Sequence, residues 1–304
     1  MGFSIRAPMR PGRRQTAGNV MIMGGSVLPP AITVAVVGLD ATITNTGGAA
    51  ASVDWGDGTV NASLTHTYAT QGVWEVTATN AAGSSVATAI LSGFWATGRT
   101  AYCYTDTGGT VPASTGDAVA VEKSPNSGLA SLTQTDPTKR PLTQTGGLQF
   151  DTVDDFQLFT GVALTGDFTA YFTGTLVAST TYVPFGSSAT DATLLRFGDD
   201  RLYLVNNAGA AQTVTNNAAG LKGFRIRRSS GTVYVKTTGV AETGGAALTG
   251  TVTLGTTGRR ILSGQQNGSA SQRYLSRLLF NRDLSAGERT LMDSYLLAVD
   301  GVAP

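Results

Sequence analysis

Residues 53–59 read VDWGDGT, with Asp54 and Asp57 set around a tryptophan and a glycine, and the only histidine of the chain, His66, follows shortly after. Carboxylates and an imidazole this close in sequence are the raw material of a metal site or of an acid–base relay. A hard cation takes about six to eight converging oxygen ligands, and two aspartates on a tight turn supply too few. A Ser-His-Asp triad would have to use His66, and it needs a nucleophile and an orienting acid within hydrogen-bond reach. In LTHTYA, strand alternation puts His66 and Tyr68 on one face and Thr65 and Thr67 on the other. Asp57-Gly58 is a strong turn former, because glycine tolerates positive φ and aspartate bonds nearby backbone. The stretch therefore reads as a turn, with Trp55 as an apolar plug and His66 packed beside it.

The other carboxylate pairs are Asp154-Asp155 and Asp199-Asp200. Neighbours on a strand point to opposite faces, so neither pair can flank a glycosidic bond as an acid and a nucleophile must. No catalytic residue and no enzymatic activity are expected. Cys103 is alone, which excludes an internal disulfide, and with a single histidine there is no Cys/His zinc cluster.

The elements that must position these residues are short strands. The chain has 304 residues, 39 of them glycine, and is rich in Thr, Ala and Val and poor in Lys and Glu, which points to an all-β protein of two domains. Lys and Arg number 21 against 20 Asp and Glu, for a formal net charge of +1, which argues against a nucleic-acid partner. The distribution is uneven. Residues 1–28 carry Arg6, Arg10, Arg13 and Arg14 with no acid, leaving 17 basic against 20 acidic residues in the remainder.

This N-terminal stretch has no sustained period and reads as an extended basic arm that anchors the protein to a partner. Its arginines are followed by MIMGGSVLPP rather than a continuous apolar core, so it does not read as a secretory signal. No run approaches the roughly 18 apolar residues that cross a bilayer, and no membrane partner is expected.

From Pro30 the chain breaks into alternating segments, AITVAVVG, DATITNT, ASVDW, SLTHTYA, VWEVTATN and SSVATAIL, each bounded by turn formers. Within them Trp55, Gly56, Asp57, Gly58, His66, Tyr68, Gly72, Trp74, Val76, Thr77, Asn80 and Gly83 follow a W-G-D-G-[TS], H-x-Y, G-x-[YW]-x-V-T, N-x-x-G order. Residues 29–92 thus resemble the PKD family, an immunoglobulin-like β-sandwich. The resemblance makes Trp55, Gly56, Asp57, Gly58, His66 and Tyr68 markers of the fold.

Residues 93–146 are a loop-rich segment leading into a second domain, 147–304. The order EKSPNSG, LTQTDPTKRP, LQFDTVDDFQL in residues 104–156 resembles a segment ahead of concanavalin-like jelly rolls in tailed-phage structural proteins. Glu122 and Thr152 depart from its usual Asp and Gly. From Gly147 the chain resembles the concanavalin/laminin-G-like sandwich. TGDFTAYFTGTLV reads as a core strand, and LLRFGDDRLYLVNN and GFRIRRSSGTVYVKTTGV as hairpins. RYLSRLLFNRDLSAGERTLMDSYLLAV reads as a closing strand and a short helix, capped by Ser285 with Glu288 and carrying Leu291, Tyr295 and Leu296 as its apolar stripe. In FRIRR, Phe224 and Ile226 are expected inward. Arg225 and Arg227 are expected outward, on a solvated face with Lys222 and Arg228 and, separately, Arg259 and Arg260.

The second resemblance implies calcium at a sandwich rim, for which Asp151, Asp154 and Asp155 are candidates, with turn solvation the favoured reading; no other cofactor is expected. Together the resemblances imply a non-enzymatic accessory protein of a tailed-phage virion. Its arm would dock on a capsid or tail protein, within a homo-oligomer, and its sandwiches would meet host-surface glycans. The alternative is a bacterial surface carbohydrate-binding or adhesion module, or the remnant of a polysaccharide hydrolase.

Overall fold

The computed structural model describes residues 27–145, 147–150, 156–159, 162–176, 182–186, 194–198, 201–205, 212–215, 220–248, 252–254, 259–262 and 273–304. The protein is all-β with one C-terminal helix, α1 (Ala286–Asp300). The first sandwich is built from β1 (Ile32–Val37), β2 (Asp40–Asn45), β3 (Ser52–Asp54), β4 (Val60–Asn61), β5 (Thr65–Thr67), β6 (Gly72–Asn80) and β7 (Gly83–Leu91). They form a three-stranded sheet, β1-β2-β5, and a four-stranded sheet, β4-β3-β6-β7. Alternation decides which side chains meet between the sheets. Ile32, Ala41, Ile43, Val53, Trp55, Tyr68, Val76 and Ala78 fill the core, with Trp74 packed against it. On β6 the intervening Val73, Glu75 and Thr77 belong to the outer face.

After a link of Ser92 and Gly93, β8 (Phe94–Thr97) joins the second sandwich by pairing with the strand Arg273–Phe280. The latter lies beside Phe168–Leu176, which pairs on its other side with Gly220–Ser229 and has Tyr171 and Phe172 buried, the core position expected for this segment. The Gly220–Ser229 and Thr232–Thr237 hairpin turns through Ser230 and Gly231, both at positive φ (49° and 77°), the geometry of a two-residue turn that matches strand twist. A second, five-stranded sheet runs Arg259–Leu262, Phe156–Phe159, Leu132–Thr133, Val121–Glu122 and Cys103–Tyr104.

Helix α1 begins at a capping box: Ser285 Oγ accepts from Glu288 N–H at 3.3 Å and Glu288 Oε2 accepts from Ser285 N–H at 2.9 Å. It ends at Gly301 in the left-handed region (φ 74°). Its buried apolar residues are Met292 and Leu296, with Leu291 and Tyr295 partly buried against the same cluster. That cluster spans both sandwiches. Val73 and Ile90 of the first pack with Trp95, Tyr171, Leu278, Phe280, Leu284, Met292 and Leu296 of the second.

The arginines of FRIRR are not on a solvated face, which corrects the sequence reading. Phe224 and Ile226 do point to the sandwich interior, but α1 lies over the opposite face and brings Asp293 to it, beside Glu242 of the same sheet and Asp283 of the loop before the helix. Arg225 donates to both oxygens of Asp293 at 3.1 and 3.0 Å and to Glu242 Oε1 at 2.9 Å. Arg227 donates to Glu242 Oε2 at 2.7 Å and to Asp283 Oδ2 at 3.1 Å, and stacks on Tyr234 at 3.9 Å. Burial alone would raise the Glu242 carboxyl, but Arg227 and Arg225 outweigh it and bring it down to about 2. The physical reason for the difference is that strand alternation reports which residues share a face, not whether a helix distant in sequence covers it.

Candidate functional site

The site is built around the turn between β3 and β4. Residues 55–59 are closed by Trp55 N–H donating to Thr59 O at 3.0 Å. Gly56 (φ 80°) and Gly58 (φ 94°) flank Asp57 in conformations that L side chains rarely adopt, and a Cβ at Gly56 would lie 2.6 Å from Glu75 O. Asp54 Oδ1 accepts from Gly56 N–H at 2.9 Å, and Asp57 Oδ1 from Thr59 N–H at 3.0 Å. The loop is thus held by its own carboxylates.

His66 Nε2 and Asp57 Oδ2 are 2.7 Å apart. Burial tends to raise the Asp57 carboxyl, yet hydrogen bonds from His66 and Thr59 prevail and it lies below the usual range. The imidazole stacks on Trp55 at 5.1 Å and meets Tyr68 edge-on at 4.6 Å. Tyr68, 1% exposed, donates its hydroxyl to Trp55 O at 2.8 Å and stacks on Trp74 at 4.2 Å. Among the described residues no hydroxyl or thiol is hydrogen-bonded to His66, so no triad is assembled around it.

Beyond Trp74 a cleft of about 670 Å³ opens between the first sandwich and α1. Asp54, Trp74 and Glu75 line one side and Arg282, Glu288 and Leu291 the other. Asp54 is paired across the ladder with Thr77, two residues from Glu75 on the same outer face, so the two residues are diagonal neighbours on that face. Neither is ion-paired among the described residues. The facing guanidinium is already engaged. Arg282 donates to both oxygens of Glu288, at 3.0 Å to Oε2, and to Gln71 O, and lies 5.9 Å from the Trp74 ring. Glu288 Oε1 also accepts from Val73 N–H at 3.2 Å, across 215 residues of chain. Gly72 makes this closeness feasible, since a Cβ there would collide with Arg282, Trp74 and Glu288.

Of the residues singled out in sequence, Trp55, Gly56, Asp57, Gly58, His66 and Tyr68 converge on this one turn and form the wall behind the cleft. Arg6, Arg10, Arg13 and Arg14, the calcium candidates Asp151, Asp154 and Asp155, and the Asp199-Asp200 pair lie outside the described residues. Among the described residues no three His, Cys, Asp or Glu side chains converge as a metal site. Sequence reasoning passed over Asp54, Glu75, Arg282 and Glu288 as cleft residues. The isolated charge in VWEVT was the available signal for Glu75, whereas nothing in sequence links Arg282 to Gln71.

No protein-family model and no curated protein match the chain. The PKD and concanavalin/laminin-G-like readings accordingly stand as resemblances. Among solved structures, the Trypanosoma rangeli sialidase in complex with sialic acid is 11% identical, with a TM-score of 0.39, over 88% of this chain and 53% of that one. The chain therefore spans about half the length of that enzyme. An alginate lyase from Corynebacterium sp. is 15% identical, with a TM-score of 0.24, over 49% of this chain and 78% of that one. Alginate lyase A1-II', a member of polysaccharide lyase family 7, is 14% identical, with a TM-score of 0.26, over 60% and 82%. Similarity at this level assigns no activity to the chain. These neighbours are enzymes, so the expectation that the chain has no enzymatic activity is withdrawn.

Proposed function

We propose that the protein is a carbohydrate-binding module of a surface, cellular or viral, and that the cleft between the first sandwich and α1 receives the glycan. The observation that carries this reading is the cleft itself. About 670 Å³ is within the usual size of a small-ligand site, and its lining joins the partly exposed indole of Trp74 to carboxylates free to accept hydroxyl hydrogen bonds. Its wall is rigid, because the turn is tied by its own side chains and braced by the stack of Tyr68 on Trp74. A virion setting, with Arg6, Arg10, Arg13 and Arg14 docking on a capsid or tail protein, is supported by the resemblance of residues 104–156 and by the charge of the arm.

The test is binding of the full chain to a panel of immobilised oligosaccharides, compared with Trp74→Ala. The expected result is at least one oligosaccharide class bound by the parent and lost in the variant, with unchanged strand content by circular dichroism. Binding indifferent to Trp74, or none across the panel, removes the reading. Mass spectrometry of the same mixtures reports any cleavage.

A further inference from the structure

Residues 124–128, within the EKSPNSG stretch, belong to the second sandwich by sequence but are fastened to the first. Asn126 is 1% exposed, and with its amide turned so that the nitrogen faces acceptors it donates to Val36 O at 2.7 Å and to Ser127 O at 3.2 Å. Ser127 forms a parallel bridge with Val37, and a Cβ at Gly128 (φ 105°) would lie 3.3 Å from Val37 Cγ1. β1 is the outer strand of its sheet, so this loop supplies partners to main-chain groups on an edge where no further strand pairs. Leu129, which follows, packs on the apolar cluster shared by both sandwiches.

A second fastening grips the other sheet, at the start of β6. Asn281 N–H donates to Gln71 Oε1 at 3.1 Å, Arg282 donates to Gln71 O, and Glu288 Oε1 accepts from Val73 N–H at 3.2 Å. Only Ser92 and Gly93 join β7 to β8. Domains joined through a small interface move relative to one another by default, and a single contact beside a linker still leaves a pivot. Here the first sandwich is held at the end of β1 in one sheet, at the start of β6 in the other and by the short link, with Val73 and Ile90 packed into the second sandwich. Attachments at separate places on both sheets leave no axis about which it can turn.

We infer that these two fastenings lock the sandwiches into one rigid body. Arg282 and Glu288 of the second fastening also border the cleft beside α1, so the width of the cleft is set before any ligand arrives. The inference does not depend on what the cleft binds.

The experiment is double electron–electron resonance on the full chain with nitroxides at Ala62→Cys and Thr243→Cys, exposed positions on the first and second sandwich. Cys103 is wholly buried and stays unlabelled. A pair within residues 93–304, at Thr243→Cys and the exposed Thr115→Cys, reports the width due to the labels alone. The distribution between the sandwiches should be single and as narrow as that of the internal pair. Asn126→Ala with Gln71→Ala removes a side-chain bond from each fastening. It should broaden the distribution between the sandwiches and leave the internal pair unchanged, with strand content unaltered by circular dichroism. A distribution in the parent that is broader than the internal pair, or that holds more than one distance, overturns the rigid body. One that stays narrow in the double variant overturns the role of the fastenings and leaves the apolar cluster as the hold.

Discussion

Two regions of the second sandwich bury arginine, and they do so in opposite ways. Arg277 is wholly buried in the interior, with a single carboxylate partner, the equally buried Glu122 at 2.6 Å. Among the described residues its Nε and Nη1, and Glu122 Oε1, have no hydrogen-bond partner, and its guanidinium is otherwise flanked by Phe150 and Tyr274 at 5.9 and 5.4 Å. Arg225 and Arg227, under α1, share Glu242 and reach Asp283 and Asp293 as well, with Lys236 Nζ at 3.1 Å from Asp293. The first is an isolated pair in a dry place, where desolvation is poorly offset and loss of either member strands the other. The second is a network at a packing seam, where several partners share the load. An ion pair's role is thus set by how many partners surround it rather than by burial alone.

The largest effect should come from breaking the isolated pair. Glu122→Gln is expected to cost about 3–5 kcal/mol in urea unfolding, because it leaves Arg277 buried without its counter-charge. Glu122→Leu with Arg277→Met should recover most of that loss, and failure to recover it would show that the pair does more than neutralise itself.

The next largest concerns the anchor of the helix that contributes Asp293 to the network. Met292 is fully buried in the cluster joining both sandwiches, and Met292→Ala is expected to cost about 2–5 kcal/mol. The same cluster bears on whether 29–92 and 93–304 fold as separate units, since residues of both contribute to it. Expressed alone, 93–304 exposes Trp95, Phe280 and Met292 where Val73 and Ile90 had lain, and dye binding to that face would measure the shared seam.

Within the network, Glu242→Gln should cost about 1.5–3 kcal/mol by weakening the charged hydrogen bonds of Arg225 and Arg227. The folded carboxyl is depressed to about 2, so its contribution is complete above the ordinary glutamate range and is lost as pH falls from there toward about 2. The variant's acid unfolding curve should lack that slope. Smallest is Ser285→Ala, which removes one half of the capping box and is expected to cost about 1 kcal/mol. A larger loss would mean that the cap also positions Glu288 against Arg282.

The sequence by itself determined the strand content, the turns and the capped helix. Period-two alternation, Gly and Asp at turns and S-x-x-E act over a few residues, and local chemistry is enough to specify them. It also marked Trp55, His66 and Tyr68 as neighbours, since strand alternation and a short loop bring them together. Tertiary structure alone decided the rest. That α1 covers the arginine face depends on packing within the second sandwich, whereas that Glu288 reaches Val73 and that Asp54 and Glu75 border a cleft facing Arg282 depend on how the two sandwiches meet. Those contacts join residues from 68 positions apart, for Arg225 and Asp293, to 215, for Val73 and Glu288, and depend on the packing of apolar seams. No local pattern encodes which distant surface will supply the other half.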